Sequence, residues 1–241
     1  MDISMGMRYY PLFLDLSHAK CLVVGAGAVG RRKISDLLAC EPSHILVLDP
    51  AINEEEFLRS FPGMDTTPLE PKKRAFLPED IADKTLVFAA TPSPCVNSLI
   101  ASLCRKEHIL CNVAGPLENG ETGNFLVPAH LENGPLALAL STSGCSPALA
   151  RMLKEELKAW LGNGYAHLAL LLKALRPRLL SLRLGSEADA ALFRSLCARP
   201  LRDKLLSALA SGNKSEVASL LRTVLPQELF PSIEEILHEL D

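Results

Sequence analysis

The first half of the chain alternates short apolar runs with longer amphipathic stretches. The short runs, which are rich in Val, Leu and Ile, occupy residues 21–24, 45–49, 85–90 and 109–113. Helical periodicity lies between them, in one stripe formed by Ile34, Leu37 and Leu38 and another formed by Val96, Leu99, Ile100 and Leu103. The second helix is expected to start at Pro94 and to end near residue 106. Strands that alternate with helices predict an α/β fold with a Rossmann-like, mostly parallel sheet.

The second half changes pattern twice. Two strand-like pieces, residues 124–128 and 136–140, flank a turn at residues 132–135. After Pro147 the spacing of Leu and Ala is helical, with breaks expected near Gly162, Pro177, Gly185, Gly212 and Pro226. We therefore predict three parts: a Rossmann-like nucleotide-binding domain at 1–113, a small α+β region at 114–146 and a helical domain at 147–241.

Composition narrows the function classes. The 241 residues carry a net charge of −3, with 48% hydrophobic and 22% charged residues, which gives no reason to expect binding to nucleic acid or an anionic membrane. Seven scattered cysteines without a C-x-x-C pair favour a reducing, cytoplasmic setting and argue against a disulfide framework or a metal centre. The most apolar stretch, residues 166–184, is interrupted by charges and is not expected to span a membrane.

A glycine-rich turn follows the first predicted strand. Gly25, Gly27 and Gly30 form G-x-G-x-x-G, and Asp49 ends the second strand about 20 positions later, as in dinucleotide-binding βαβ units. Gly25 permits the turn, Gly27 lets a pyrophosphate approach the backbone, and Gly30 lets the helix pack closely. The alternative is a glycine turn in an ordinary βαβ unit.

The acidic residue bears on the choice of cofactor. Asp49 can accept the ribose hydroxyls, and its charge would repel a 2′-phosphate, so we predict NAD as the cofactor. Arg31 and Arg32 are arguments for NADP, but they lie on the helix rather than after the second strand, and NAD is therefore favoured.

A second polar loop joins a predicted strand to a predicted helix at residues 141–147. Ser146 is a natural N-cap and Pro147 a natural first helical residue, so hydroxyls and free N–H groups converge on an anion pocket. Arg151, Lys154 and Lys158 follow on one helical face. A ligand with several carboxylates would fit this surface. The alternative is a plain capped helix with a solvated basic side.

Taken together, these stretches resemble the precorrin-2 dehydrogenases, including the amino-terminal portion of siroheme synthases. The similarity runs from Tyr10 to about Gly162. It is carried by Tyr10-Pro-Leu-Phe-Leu-Asp-Leu, the glycine turn with Arg32-Lys33, Thr91-x-x-Pro-x-Val-Asn97, Cys111-Asn-Val113, Phe125-x-x-Pro128, Gly134-Pro135-Leu136 and Ser141-x-x-Gly-x-Ser-Pro-Ala-Leu-Ala-Arg151.

The resemblance implies an NAD-dependent enzyme that oxidises precorrin-2, a tetrapyrrole polycarboxylate, to sirohydrochlorin. It also implies a homodimer, formed through the 114–146 region. By position it implies cofactor contacts at Ala28, Val29, Asp49, Pro50, Ala51 and Thr91 beside the three glycines. The substrate-binding candidates are Asn124, Ser141, Ser143, Ser146, Arg151 and Lys154, and Thr142 matches a serine in the active-site region of some relatives.

The chain departs from the family at one position. Relatives carry an aspartate after the Asn-Val strand, to which dehydrogenation and, in bifunctional members, metal chelation are assigned. Here Gly115 stands in its place, and Glu118 and Glu121 are the nearest carboxylates. Asn112, Asn124 and Thr142 could orient the substrate. We expect a dehydrogenase with poor or absent chelatase activity. The alternatives are a non-catalytic NAD-sensing or tetrapyrrole-carrying protein, and a dehydrogenase for a small metabolite.

Overall fold

The computed structural model describes residues 9–118 and 123–240. The chain divides into two compact units, with the boundary between Val127 and Pro128. The predicted three-part division has its boundaries at residues 113 and 146 and stays a prediction.

The first unit is built on a five-stranded parallel sheet. Its strands are β1 (Lys20–Val24), β2 (His44–Leu48), β3 (Leu69–Lys72), β4 (Leu86–Ala89) and β5 (Leu110–Val113), in the order β3-β2-β1-β4-β5. Strand order reverses between β1 and β4, so the carboxyl ends of β1, β2 and β4 border the crevice where such sheets bind ligands. The predicted α/β fold with a Rossmann-like parallel sheet is confirmed.

Side chains of these strands alternate between two apolar cores. One face packs against α1 (Ala28–Leu38) and the short α2 (Glu54–Leu58) through Cys21, Val23, Ile45 and Val47. The other face packs against α3 (Pro94–Lys106) through Leu22, Val24, Leu46 and Leu48. Because both faces are covered, the central strands β1, β2 and β4 are apolar along almost their whole length, as the continuous runs in the sequence indicated.

The second unit begins with an antiparallel hairpin and continues as helices. Strands β6 (Ala129–Asn133) and β7 (Leu136–Leu140) pair across a two-residue turn. The helices are α4 (Pro147–Ser181), α5 (Ser186–Cys197), α6 (Leu201–Ala210), α7 (Lys214–Arg222) and α8 (Ser232–His238), around their own aliphatic core. None of the helices in the described residues combines the length and apolar content that a bilayer crossing needs.

Three local predictions were wrong, and one strand was missed. Residues 124–128 are not a strand, because β7 pairs with Ala129–Asn133 instead. Pro177 does not end a helix: α4 continues to Ser181, and its non-helical point is Gly162, with φ 48°. Leu99 is 44% exposed, and the buried face of α3 is Asn97, Ile100, Ala101 and Cys104. Strand β3 was not predicted at all.

Candidate functional site

The glycine turn between β1 and α1 has the shape of a phosphate cradle. A Cβ on Gly25 would lie 2.5 Å from the carbonyl oxygen of Ala90, and one on Gly30 would lie 1.9 Å from that of Gly25. A Cβ on Gly27 would meet nothing within 4 Å. Two glycines are therefore required by packing within the protein, whereas Gly27 faces open space that a pyrophosphate can enter.

The amino terminus of α1 borders the same space. Gly27 is the N-cap and gives no side-chain hydrogen bond to the first turn, and Ala28 and Val29 are exposed. Free N–H groups and the positive end of the helix dipole therefore face solvent, which suits a phosphate. A dinucleotide's pyrophosphate fits this arrangement. The roles of Gly27, Ala28 and Val29 as contacts stay predictions.

Asp49 follows β2 and ties two loops together. Its Oδ2 accepts a hydrogen bond from the Ala26 N–H at 2.7 Å, and its Oδ1 accepts one from the Ala51 N–H at 2.8 Å. Ala51 and Pro50 are exposed beside it. The carboxylate thus braces the glycine turn and lies at the position expected for a ribose contact. Both of its oxygens already have a backbone donor.

A cavity of about 380 Å³ lies beside Asp49. Its lining comprises Ala26, Gly27, Arg31, Asp49, Ala51, Ile52, Asn53, Glu56 and Phe57. Arg31 reaches this cavity although it stands on α1. Its Nε donates to the carbonyl oxygen of Ala26 at 3.1 Å, and its Cζ lies 4.7 Å from the centre of the Phe57 ring.

The loops after β4 and β5 are joined by the fully buried side chain of Asn97. Its Oδ1 accepts hydrogen bonds from the N–H of Thr91 at 3.2 Å and the hydroxyl of Thr91 at 2.8 Å. Its Nδ2 donates to the carbonyl oxygens of Thr91 at 3.0 Å and Pro116 at 2.9 Å. In the sequence, Asn97 stands out only as part of a motif. Its signal was a polar residue on the apolar side of an amphipathic helix.

Gly115 lies against this amide. A Cβ at this position would be 2.5 Å from Asn97 Nδ2 and 2.5 Å from the carbonyl oxygen of Thr91. The position where the family resemblance led us to expect an aspartate therefore has no space for a side chain in this chain. The absence of a carboxylate at this position is built into the packing of the loop.

The remaining polar candidates of the first unit are held in different ways. The amide of Asn124 accepts from the Cys111 N–H at 2.7 Å and donates to the Ile109 carbonyl oxygen at 2.8 Å, so it pairs with the backbone beside β5. Asn112 donates from Nδ2 to the Phe125 carbonyl oxygen at 3.2 Å. Their substrate roles stay predictions, and the exposed Asn124 amide keeps one lone pair and one N–H beyond these two bonds.

Of the two candidate bases, only Glu118 lies in the described part of the chain. Its N–H donates to the hydroxyl of Ser98 at 2.9 Å, which fixes its backbone to α3, and its side chain is exposed. Glu121 lies outside the described residues. Among the described residues, no group of three or more His, Cys, Asp or Glu side chains could hold a metal ion.

The polar loop of the second unit is organised around Thr142 and Ser146. The Thr142 hydroxyl donates to the Ser146 carbonyl oxygen at 3.2 Å and accepts from the Ser146 N–H at 3.3 Å. The Ser146 hydroxyl accepts from the Leu149 N–H at 3.2 Å, which confirms the predicted N-cap. Ser141 and Ser143 are exposed. The hydroxyls thus shape the start of α4, and an anion-binding role stays a prediction.

Arg151 and Lys154 stand in the first turns of α4. Arg151 is exposed and Lys154 is half-buried. The opposite side of this part of the helix carries Leu149, Met152 and Trp160, with Glu156 between the last two, and Trp160 is 62% exposed. The first half of α4 therefore presents a side with Arg151 and Lys154 and an exposed, largely apolar side.

Two protein-family models match the chain, one over the parallel-sheet region and one over the second strand of the hairpin and the start of α4. Residues 12–129 match the family described as "Putative NAD(P)-binding", and residues 133–159 match the family described as "Sirohaem biosynthesis protein central". In fold, the chain is similar to a solved structure of SirC, precorrin-2 dehydrogenase, with a TM-score of 0.69 and 25% identity over 90% of this chain and 98% of that one.

Curated relatives are similar over shorter parts of their own length. Siroheme synthase 1 of Yersinia pestis (strain Pestoides F) is 36% identical over 173 residues, which is 71% of this chain and 35% of the relative. Siroheme synthase of Nitrosomonas europaea is 36% identical over 165 residues, or 68% of this chain and 33% of the relative. The chain spans about a third of the length of these relatives.

Proposed function

Because the chain belongs to the family of precorrin-2 dehydrogenases and siroheme synthases, we propose that it oxidises precorrin-2 to sirohydrochlorin with NAD as hydride acceptor. The observation that carries this proposal is the extent of the likeness to the solved precorrin-2 dehydrogenase, which covers 90% of the chain. A general nucleotide-dependent dehydrogenase would share the parallel sheet but not the hairpin and the helices that follow it.

NAD, when bound, supplies the hydride acceptor, and the protein has to place the substrate carbon and remove a proton. The glycine turn and the start of α1 bind the pyrophosphate, and Asp49 holds the turn in shape. Asn97 fixes the loops after β4 and β5, which border the crevice at the carboxyl ends of the strands. Positioning of this kind supplies several kcal/mol toward the barrier.

A group other than residue 115 has to remove the proton from the substrate. Gly115 has no side chain and no space for one. We propose Glu118 or Glu121 as the base, and Asn112 and Thr142 as catalytic-site groups that orient the substrate by hydrogen bonds. General-base help is typically worth about 10²–10⁴ in rate. Metal insertion needs two pyrrole protons removed, so the missing carboxylate should reduce chelation more than dehydrogenation.

The substrate's carboxylates are assigned to the second unit. The exposed hydroxyls of Ser141 and Ser143 and the cations of Arg151 and Lys154 provide donors and positive charge for several carboxylates. The start of α4, capped by Ser146, adds the positive end of a helix dipole.

We further propose that the protein is a cytoplasmic homodimer. Although β6 and β7 pack against α4, Leu131 is their only buried residue, and among the described residues no third strand pairs with either outer edge. The apolar face of α4, with Leu149, Met152 and Trp160, is also uncovered. A second copy would cover both surfaces. Sedimentation at micromolar concentration tests this proposal, and a single monomeric species contradicts it.

Anaerobic incubation with enzymatically made precorrin-2 and NAD tests the activity. The expected result is NADH and sirohydrochlorin formed over many turnovers, followed by absorbance. A protein that binds tetrapyrrole and NAD but forms no NADH would be a carrier, and the enzymatic proposal would be wrong.

A parallel incubation with ferrous or cobaltous ion tests chelation. We expect metal insertion to be much slower than dehydrogenation. Comparable rates would contradict the loss of the chelatase base, and Glu118→Gln and Glu121→Gln would then show which carboxylate replaces it.

A further inference from the structure

We infer that Arg31 gives the adenosine end of the cofactor site an affinity for a 2′-phosphate, so that the chain binds NADP as well as NAD. The inference rests on the proposed function, because it concerns the same dinucleotide site. It adds a specificity-determining residue, and it changes the cofactor range expected from Asp49 alone.

The guanidinium of Arg31 is held inside the cavity by three contacts. Nε donates to the Ala26 carbonyl oxygen at 3.1 Å, one Nη donates to the hydroxyl of Ser60, and the plane lies over the Phe57 ring with Cζ 4.7 Å from its centre. Ser60 is itself fixed, since its hydroxyl donates to the Phe57 carbonyl oxygen at 2.6 Å. The side chain is thus preorganised, and little rotamer entropy remains to be lost when it binds a ligand.

This arrangement leaves donors for an anion. A guanidinium has five N–H groups in a rigid fork that matches phosphate. The described residues supply acceptors for Nε and one Nη nitrogen, and none for the other. The cavity that Arg31 lines also contains Asp49 and Ala51, the residues that follow β2, where the adenosine ribose is expected. A 2′-phosphate would therefore enter beside the free side of the fork.

Asp49 opposes a 2′-phosphate less than its charge suggests. Both of its oxygens accept backbone N–H groups, those of Ala26 and Ala51, and these partial positive charges offset its field. The other acid of the cavity, Glu56, is exposed and solvated. The preference for NAD expected from the sequence assumed that Arg31 lay away from this pocket, and the structure places Arg31 in its lining.

The test compares NAD and NADP binding to the full chain by calorimetric titration, with no tetrapyrrole present. Variants are Arg31→Gln and, as a matched control, Arg32→Gln, which removes the same charge from the exposed neighbour on α1. Adenosine 2′,5′-bisphosphate and adenosine 5′-monophosphate serve as further probes that isolate the 2′-phosphate from the rest of the cofactor.

We expect wild type to bind NADP with a Kd within about tenfold of that for NAD. Arg31→Gln should weaken NADP about 10- to 100-fold, the usual effect of losing a hydrogen bond to a charged group, and should leave NAD within about threefold. Arg32→Gln should leave the ratio of the two constants unchanged. The bisphosphate should bind more tightly than the monophosphate in wild type only.

Two results would overturn the inference. One is NAD binding without measurable NADP binding in wild type. The other is an equal loss of affinity for both cofactors in Arg31→Gln, which would mean that Arg31 only holds Phe57 in position. Either leaves the proposed dehydrogenase intact. Loss of turnover with precorrin-2 despite normal binding would instead defeat the proposed function alone, and binding of neither cofactor would defeat both.

Discussion

Gly115→Ala should destabilise the sheet unit by roughly 2–6 kcal/mol. The added Cβ would lie 2.5 Å from Asn97 Nδ2 and from the Thr91 carbonyl oxygen. Overpacking costs about 1–3 kcal/mol. Displacement of Nδ2 also breaks its two hydrogen bonds, each worth about 0.5–1.5 kcal/mol. The same clash predicts that Gly115→Asp, which restores the family's carboxylate, weakens the loop instead of creating a chelatase.

Urea unfolding tests the predicted destabilisation by Gly115→Ala, provided that the probe lies in the first unit. The thiols of Cys104 and Cys111 are buried between α3 and β5, so their alkylation, followed by mass spectrometry, reports on opening at this position. The only tryptophan, Trp160, lies in the second unit, and its emission therefore serves as an internal control. We expect the alkylation midpoint to fall and the emission midpoint to change little.

A double-mutant cycle with Asn97→Ala identifies the clashing partner. If the new methyl group acts through the Asn97 amide, the double variant is less destabilised than the sum of the single variants. Additive losses would place the clash at the Thr91 backbone instead. If the free energy of unfolding of Gly115→Ala lies within about 0.5 kcal/mol of wild type, the packing argument is refuted. Changes that small are typical of exposed surface positions, not of a position with the contacts described.

Three further predictions concern the rest of the molecule. Gly27→Val should abolish NAD binding in a titration while circular dichroism stays unchanged, because its side chain would fill the open cradle. Charge reversal at Arg151 or Lys154 should raise KM for precorrin-2 more than it lowers kcat. Wild-type kinetics in both variants would mean that these residues form a solvated helix face and do not bind substrate. The hydrogen bond from the Arg74 guanidinium lowers the pKa of Asp80 in the folded state. This ion pair therefore stabilises the fold fully above the unfolded-state pKa of about 4, and its contribution is lost as pH falls through the lower folded-state pKa. Asp80→Asn should remove the corresponding pH dependence of the urea midpoint.

Much of the sheet unit could be predicted because its signals are local. The glycine turn, Asp49 and the start of α3 at Pro94 each depend on a few neighbouring residues with one conformational solution. Strand β3 gave no such signal. It contains Glu70, Pro71 and Lys72, which are disfavoured in strands, and it exists because β2 offers a hydrogen-bonding edge that tolerates proline.

The site details that were missed depend on contacts distant in sequence. Arg31 lines the cavity beside Asp49 because Phe57 and Ser60, which follow the next strand, hold its side chain there, and periodicity on α1 carries no information about these two residues. Asn97 serves a loop 19 positions later. The hairpin was misplaced because Phe125, Leu126 and Val127 are more apolar than Ala129–Asn133, whereas the tight turn at Gly134-Pro135 decides which residues pair with β7.

The order of elements along the chain has a consequence for how the protein folds. Strand β1 can pair with β4 only after residues 25–85 have been made, and parallel pairing across such a separation is slow. Helices α5, α6 and α7 each contact the helix that follows them, so this part of the chain can form quickly from local contacts. During refolding we expect the helices to gain hydrogen-exchange protection first, while the apolar strands are still unpaired and prone to association between chains. Pulsed exchange that found β1 and β4 protected before the helices would contradict this order.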